Sequence, residues 1–205
     1  MSTLGKLMSF FPLLVLGLCI AELGWLIRSN SALALFAIIL TLYLFPPLAF
    51  RLHRLFFTQP KKISHISAPH YSPWWGGHQI QLIYLAFPFL EALLRVVPGI
   101  YSFWLRLWGS QIGKNVHWVP TVIIADRDLL KIGDDVVLGH GVEIFGHVIA
   151  AKEKRMILFT APVCIGNGAF IGAKSHLGPG AKVEAHARLP VQTDIYPNQE
   201  IKADA

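Results

Sequence analysis

The chain has 205 residues, of which 54% are hydrophobic and only 15% charged, and a mean hydropathy of +0.51, too apolar for an ordinary soluble protein of this length. The net charge of +6 raises the question of nucleic acid, but the basic residues are spread over positions flanking apolar segments and over the C-terminal repeats, with no nucleic-acid-binding motif among them. Attraction to anionic lipid headgroups accounts for the excess.

Residues 7–27 and 32–50 are nearly unbroken apolar sequence, each close to the roughly 20 residues a helix needs to cross a bilayer core. The link Arg28-Ser29-Asn30-Ser31 is short and polar, so the two spans are expected to form a membrane hairpin over residues 1–55. The first is longer than the apolar core of a signal peptide, and a second span follows at once. Arg51, Arg54, Lys61 and Lys62 follow the second span, against Arg28 in the link, which orients the rest of the chain toward the cytoplasm in a multi-pass inner-membrane protein. Glu22, inside the first span, is expected near the outer interface or against a neighbouring helix, unless it has a function of its own.

Residues 56–110 are aromatic and apolar but interrupted by Pro73, Gly76, Gly77, Pro88 and Pro98, which argues against a further clean span. The expectation is a membrane-interface neck of short helices. Trp74, Trp75, Tyr84, Tyr101, Trp104 and Trp108 would lie in the headgroup zone, with Arg95 and Arg106 on lipid phosphates, although a packed helical neck fits the same residues.

Residues 111–205 carry a six-residue register of aliphatic-glycine pairs: Ile132-Gly133, Leu138-Gly139, Ile165-Gly166, Ile171-Gly172 and Leu177-Gly178. That period marks a parallel β-helix, in which each hexapeptide gives one short strand with an aliphatic side chain turned into the core. Between Ile144 and Ile165 the register dissolves, and the charged run Lys152 to Arg155 predicts a loop leaving the coil over about 147–162. Insertions of this kind often carry the binding site of a repeat protein, and His147 stands at its entrance. Cys19, in a span, and Cys164, in the repeats, are not expected to pair, consistent with a reducing cytoplasm.

The run from Ile132 through Glu143-Ile-Phe-Gly-His147, followed by an insertion and then Pro162-Val-Cys-Ile-Gly-Asn-Gly-Ala-Phe-Ile-Gly-Ala-Lys174, resembles the hexapeptide-repeat acyltransferases. These include the maltose and galactoside O-acetyltransferases and the colanic-acid-type acetyltransferases. The resemblance implies a left-handed parallel β-helix, a homotrimer, and acetyl-CoA or another acyl-CoA as donor substrate, with no bound cofactor and no metal. It makes His147 the catalytic base, places Thr121 and Asp126 where the acceptor hydroxyl is positioned, and puts the oxyanion donor near Gly172 and Ala173. The chemistry agrees on the base, since acyl transfer to a hydroxyl needs a group that takes the alcohol proton, and imidazole exchanges protons near neutral pH.

Other residues are open to two readings. His140 is a candidate acceptor-binding residue or a surface histidine, and His176 and His186 read as solvated. Lys174, Lys182 and Arg188 are candidates for the coenzyme phosphates or ordinary exposed cations. The chain lacks the family's Gly-x-Pro-Ala-Lys ending, which keeps a longer acyl-CoA or an acyl carrier protein open as donor. A membrane hairpin favours a membrane-held acceptor: a lipid-linked sugar, a glycolipid or a lipophilic metabolite. The spacing of His140 and His147 does not reproduce the metal ligands of a γ-class carbonic anhydrase. The remaining alternative is a non-catalytic β-helix that serves as a scaffold or partner-binding membrane protein.

Overall fold

The computed structural model describes residues 2–58, 62–66, 70–152 and 155–203, and divides into a helical unit (Met1–Gln59 with Ser67–Ala86) and a mainly β unit (Pro60–Ile66 with Phe87–Ala205). The helical unit contains α1 (Thr3–Met8), α2 (Phe11–Ser29), α3 (Ala32–Tyr43), α4 (Phe45–Phe56) and α5 (Pro73–Ala86). The polar link predicted between the spans is a stop followed by a start. Asn30 ends α2 in the left-handed conformation (φ +46), and the Ser31 hydroxyl caps α3 by accepting the Leu33 N–H at 3.2 Å.

By length and composition, Thr3–Ser29 is long and apolar enough to cross a membrane, and side chains such as Ile20 and Ile27 are 70% and 76% exposed. The second expected span, 32–50, is not one straight helix. It bends by 41° between α3 and α4, where Pro46 and Pro47 remove backbone donors. Glu22 lies against a neighbouring helix, its Oε1 accepting the Thr41 hydroxyl of α3 at 2.7 Å. Of the basic cluster that follows, Lys61 falls outside the described residues.

The β unit holds β1 (Lys62–His65), α6 (Phe89–Val96) and α7 (Ile100–Trp108) before the repeats. Of the aromatic residues of the neck, Trp74, Tyr84, Tyr101, Trp104 and Trp108 are buried in protein, as the packed reading of these side chains has it. Within the β unit, Tyr101 packs edge-on to Trp118 with ring centroids 5.0 Å apart, and Trp104 packs on Trp108 at 5.6 Å. Rings that each bury about 150–250 Å² gain as much in a protein core as in a headgroup layer. Both arginines have protein partners, although Arg106 is itself exposed. Arg106 donates to the carbonyls of Ile112 and Gly113, both at 2.9 Å, and Arg95 pairs with Glu91.

The repeats then run β2 (Gln111–Ile112), β3 (Ile123–Ile124), β4 (Leu130–Ile132), β5 (Val137–Leu138) and β6 (Glu143–Ile144). After β7 (His147–Lys152) and β8 (Arg155–Thr160) come β9 (Val163–Ile165), β10 (Phe170–Ile171), β11 (His176–Leu177), β12 (Lys182–Val183), β13 (Arg188–Leu189), β14 (Asp194–Ile195) and β15 (Glu200–Ile201). They stack in parallel into three faces: β5-β10-β13, β3-β6-β11-β14 and β2-β4-β9-β12-β15. Leu138, Ile144, Ile171 and Leu177 point inward and are fully buried. Where the stacking is regular each coil takes 18 residues, as in Ile165↔Val183 and Ile171↔Leu189, whereas the first coil takes 20, as in Ile124↔Ile144.

The insertion expected as a loop over 147–162 is a β-hairpin. β7 and β8 pair antiparallel from His147↔Thr160 to Lys152↔Arg155, and β1 adds to the far edge of β8. The reason lies in Val148-Ile149 and Met156-Ile157-Leu158-Phe159, β-branched and bulky residues that favour a pleated strand. Of the charged run, residues 153 and 154 lie outside the described residues.

Candidate active site

The hairpin leaves the coil at Gly146, and no larger residue fits there: an added Cβ would lie 2.7 Å from Leu129 Cδ1 and 3.0 Å from Asp126 Cβ. Ala161 N–H closes the base of the hairpin onto Gly146 O at 3.0 Å. This geometry sets His147 beside the turn that joins β3 to β4, one coil earlier. There Asp126, 2% exposed, directs its carboxylate at the departing strand. Asp126 Oδ2 accepts the Gly146 N–H at 2.9 Å and meets His147 Nδ1 at 2.6 Å.

An ionised carboxylate only accepts, so this contact puts the imidazole proton on Nδ1 and makes Nε2 the nitrogen with a lone pair. The His147 side chain is 17% exposed and lines a groove of about 530 Å³ along the β3-β6-β11-β14 face. Phe145, Val148, Ile149, Leu177 and Tyr196 make the groove largely apolar, and His176 and Asp194 add polar atoms to it. His176 Nδ1 lies 2.6 Å from Asp194 Oδ1, with Glu143 Oε2 3.8 Å from its Nε2. A buried carboxylate and the imidazole it orients suit removal of a proton from a hydroxyl at the edge of an open apolar groove.

The other sequence-predicted residues are distributed around the coil. Thr121 and His140 meet each other, Thr121 Oγ1 lying 3.0 Å from His140 Nδ1, but at the corner before β6, while His147 is at the corner after it. Gly172, Ala173 and Lys174 stack one coil above that same His140 corner, where Lys174 N–H donates to His140 O at 2.8 Å. The Gly172 N–H is already given to Leu189 O at 3.0 Å, so it has no proton to offer an oxyanion. Lys182 projects from the β2-β4-β9-β12-β15 face beside Cys164, and Arg188 from the β5-β10-β13 face beside Phe170. His186 holds a left-handed corner at φ +64.

Within one chain, then, the structure unites Asp126 with His147, gathers Thr121, His140 and residues 172–174 at a second corner, and leaves Lys182 and Arg188 on the other two faces. Sequence reasoning missed the groove-lining Phe145, Val148, Ile149 and Tyr196, and it gave Asp126 to the acceptor rather than to the imidazole. The 20-residue advance of the first coil was the available signal, since it sets Asp126 directly under Gly146.

No protein-family model matches the chain, and no curated protein matches it. Among solved structures, a hexapeptide-repeat-containing acetyltransferase of Vibrio cholerae complexed with acetyl coenzyme A is 18% identical over 46% of this chain, with a TM-score of 0.37. The chain spans only 55% of that protein's length. A second structure of the Vibrio cholerae acetyltransferase is 15% identical over 67% of this chain and 89% of its own, with a TM-score of 0.39. A maltose O-acetyltransferase from Clostridium difficile 630 is 18% identical over 56% and 78% respectively, with a TM-score of 0.27. Likenesses of this size carry no assignment of activity.

Proposed function

We propose that the chain is a membrane-anchored acyltransferase that moves an acetyl or longer acyl group from a coenzyme A thioester to a hydroxyl or amine of a membrane-held acceptor. The observation that carries this reading is the Asp126–His147 pair at the edge of an apolar groove. In the proposed step His147 Nε2 takes the acceptor proton as its oxygen or nitrogen attacks the thioester carbonyl. The resulting tetrahedral oxyanion collapses, the carbon–sulfur bond breaks, and the departing thiolate recovers the proton from the imidazolium. Asp126 holds the ring in the required tautomer and stabilises its charged form.

The reading includes an anchor and an assembly. The apolar Thr3–Ser29 and the bent pair α3–α4 would hold the protein in the inner membrane, and Arg51 and Arg54 would face the β unit toward the cytoplasm. A left-handed coil assembled as a homotrimer would bring residues from separate faces, such as Lys182 and Arg188, together between copies. The acceptor would then be a lipid-linked sugar, a glycolipid or a lipophilic metabolite, and an acyl carrier protein is the alternative donor.

The test is thiol release from acyl-CoA by the detergent-solubilised protein, with and without a membrane lipid extract, for wild type and His147→Ala. Release that needs the extract and is lost in the variant supports the proposal. Equal release by the variant overturns the role of His147. Absence of release with short and long acyl-CoA favours a carrier-protein donor or a non-catalytic scaffold.

A further inference from the structure

We propose that Glu91 and Arg127 are positioning residues that fix the Asp126 carboxylate, and through it the His147 imidazole; this rests on the reading of His147 as the base. Asp126 and Arg127 are consecutive, and their side chains go to opposite partners. Asp126 faces Gly146 and His147, whereas the Arg127 Nε donates to Glu91 Oε1 on α6. Both ends of this ion pair are out of water, with Arg127 at 1% and Glu91 at 5% side-chain exposure.

Glu91 is itself held. Its Oε2 accepts from Arg95 Nη2 at 2.7 Å and from the Tyr101 hydroxyl at 2.8 Å. Arg95 Nη1 in turn donates to Pro120 O at 2.8 Å, on the segment leading to β3. Burial, with the Glu91 charge adding to it, raises the Tyr101 pKa well above its ordinary value, so the hydroxyl stays a neutral donor.

The backbone of the turn is gripped as well. Ser110 Oγ donates to Arg127 O at 2.6 Å and accepts the Leu130 N–H at 3.0 Å. The turn carrying Asp126 is therefore anchored at a side chain, a carbonyl and an amide, by residues outside the repeats. A buried ion pair is a poor source of stability, because desolvation of both charges offsets their attraction, and apolar replacements are often as stable. What it supplies here is direction: the guanidinium is held by a carboxylate that is fixed on a second side, and the next residue along is the one that orients the base.

Glu91→Gln would leave both Arg127 and Arg95 without their carboxylate, whereas Arg127→Gln leaves Glu91 paired with Arg95, so the main test uses Arg127→Gln, and Arg127→Lys if that variant does not fold. Both are read in the full-length, detergent-solubilised protein. Nitrogen NMR of ¹⁵N-histidine-labelled protein, with His147 assigned by its loss in His147→Gln, reports the tautomer without any need for activity. Wild type is expected to show His147 protonated at Nδ1 only, and the variant a mixture of tautomers. In turnover, kcat is expected to fall about 10- to 100-fold with the donor KM unchanged, the scale set by small misplacements of a catalytic group. That fall should vanish in an Asp126→Ala background, where no side chain is left for Arg127 to position.

A folded variant with a single His147 tautomer and wild-type kcat overturns the proposal. So does the same loss of kcat in the Asp126→Ala background, which marks a merely structural pair. If wild type shows no acyl transfer, the proposed function fails while the tautomer measurement still decides the role of Arg127.

Discussion

Replacing Asp126 by asparagine separates the two contributions its carboxylate makes to His147. Oδ2 accepts both the Gly146 N–H at 2.9 Å and the proton on His147 Nδ1 at 2.6 Å. An asparagine oxygen at the same place accepts both bonds, so the tautomer is kept and only the charge is lost. Opposite unit charges about 4 Å apart at an effective dielectric of about 20 interact by about 4 kcal/mol, which is roughly 10³ in rate if all of it appears in the imidazolium-forming step. His147 is 17% exposed, and water reduces that figure, so the expected loss in kcat is about 10²- to 10³-fold. Asp126→Ala also removes the acceptor of a buried backbone N–H, and its stability should fall by a further 1–3 kcal/mol or so relative to asparagine. Steady-state thiol release and urea unfolding, run on both variants beside His147→Ala, measure the two effects separately. An Asp126→Asn enzyme within about threefold of wild-type kcat would refute the dyad, since the charge would then be doing nothing for the transition state.

Gly172→Ala is expected to destabilise the coil rather than to weaken donor binding, because the added Cβ would lie 2.2 Å from Pro190 O, a backbone atom that cannot step aside. A raised donor KM with an unchanged urea midpoint would return Gly172 to the donor site. For Tyr101 the sign follows from its raised pKa: above about pH 10 the unfolded phenol gives up its proton while the buried one retains it, so stability falls as pH rises from that point. Urea midpoints across that range should decline less steeply in Tyr101→Phe, and equal slopes would contradict the argument. Cys164 is half-buried on the coil, so a membrane-impermeant maleimide should modify it in inverted vesicles and not in intact cells; the reverse pattern would invert the proposed orientation.

The coil was legible because it is periodic and the same physical demand recurs at every turn. Each inward position needs an aliphatic side chain, and each close stacking needs a residue without one, so Ile165-Gly166 and Ile171-Gly172 repeat in the sequence as their strands stack in space. The hairpin was less legible for the opposite reason. It occurs once, and its run of charged residues outweighed the alternating apolar residues Ile149, Ile157 and Phe159 that make it a strand pair. The neck read two ways because tryptophan and tyrosine suit both a headgroup layer and a core. Nothing local to Tyr101 or Trp104 says that the partner of each ring is another ring of the same unit rather than lipid.

The site divides along the same line. His147 could be found because it interrupts a pattern, standing where the register stops. Asp126 precedes the clear repeats, and its role depends on the length of the first coil, which takes 20 residues where the regular coils take 18. Had the first coil also taken 18, the turn bearing Asp126 would be out of register with Gly146, and the carboxylate would meet a different stretch of the coil. The two additional residues therefore belong to how the site is built. Glu91 was beyond reach altogether, because a single acidic residue on a short helix, 36 positions from its arginine, leaves no pattern in the chain. Insertions and helices outside the repeats are where this chain departs from a plain coil. Those departures converge on one corner, where Gly146 lets the hairpin out, Asp126 meets His147, and Arg127 ties the turn to α6.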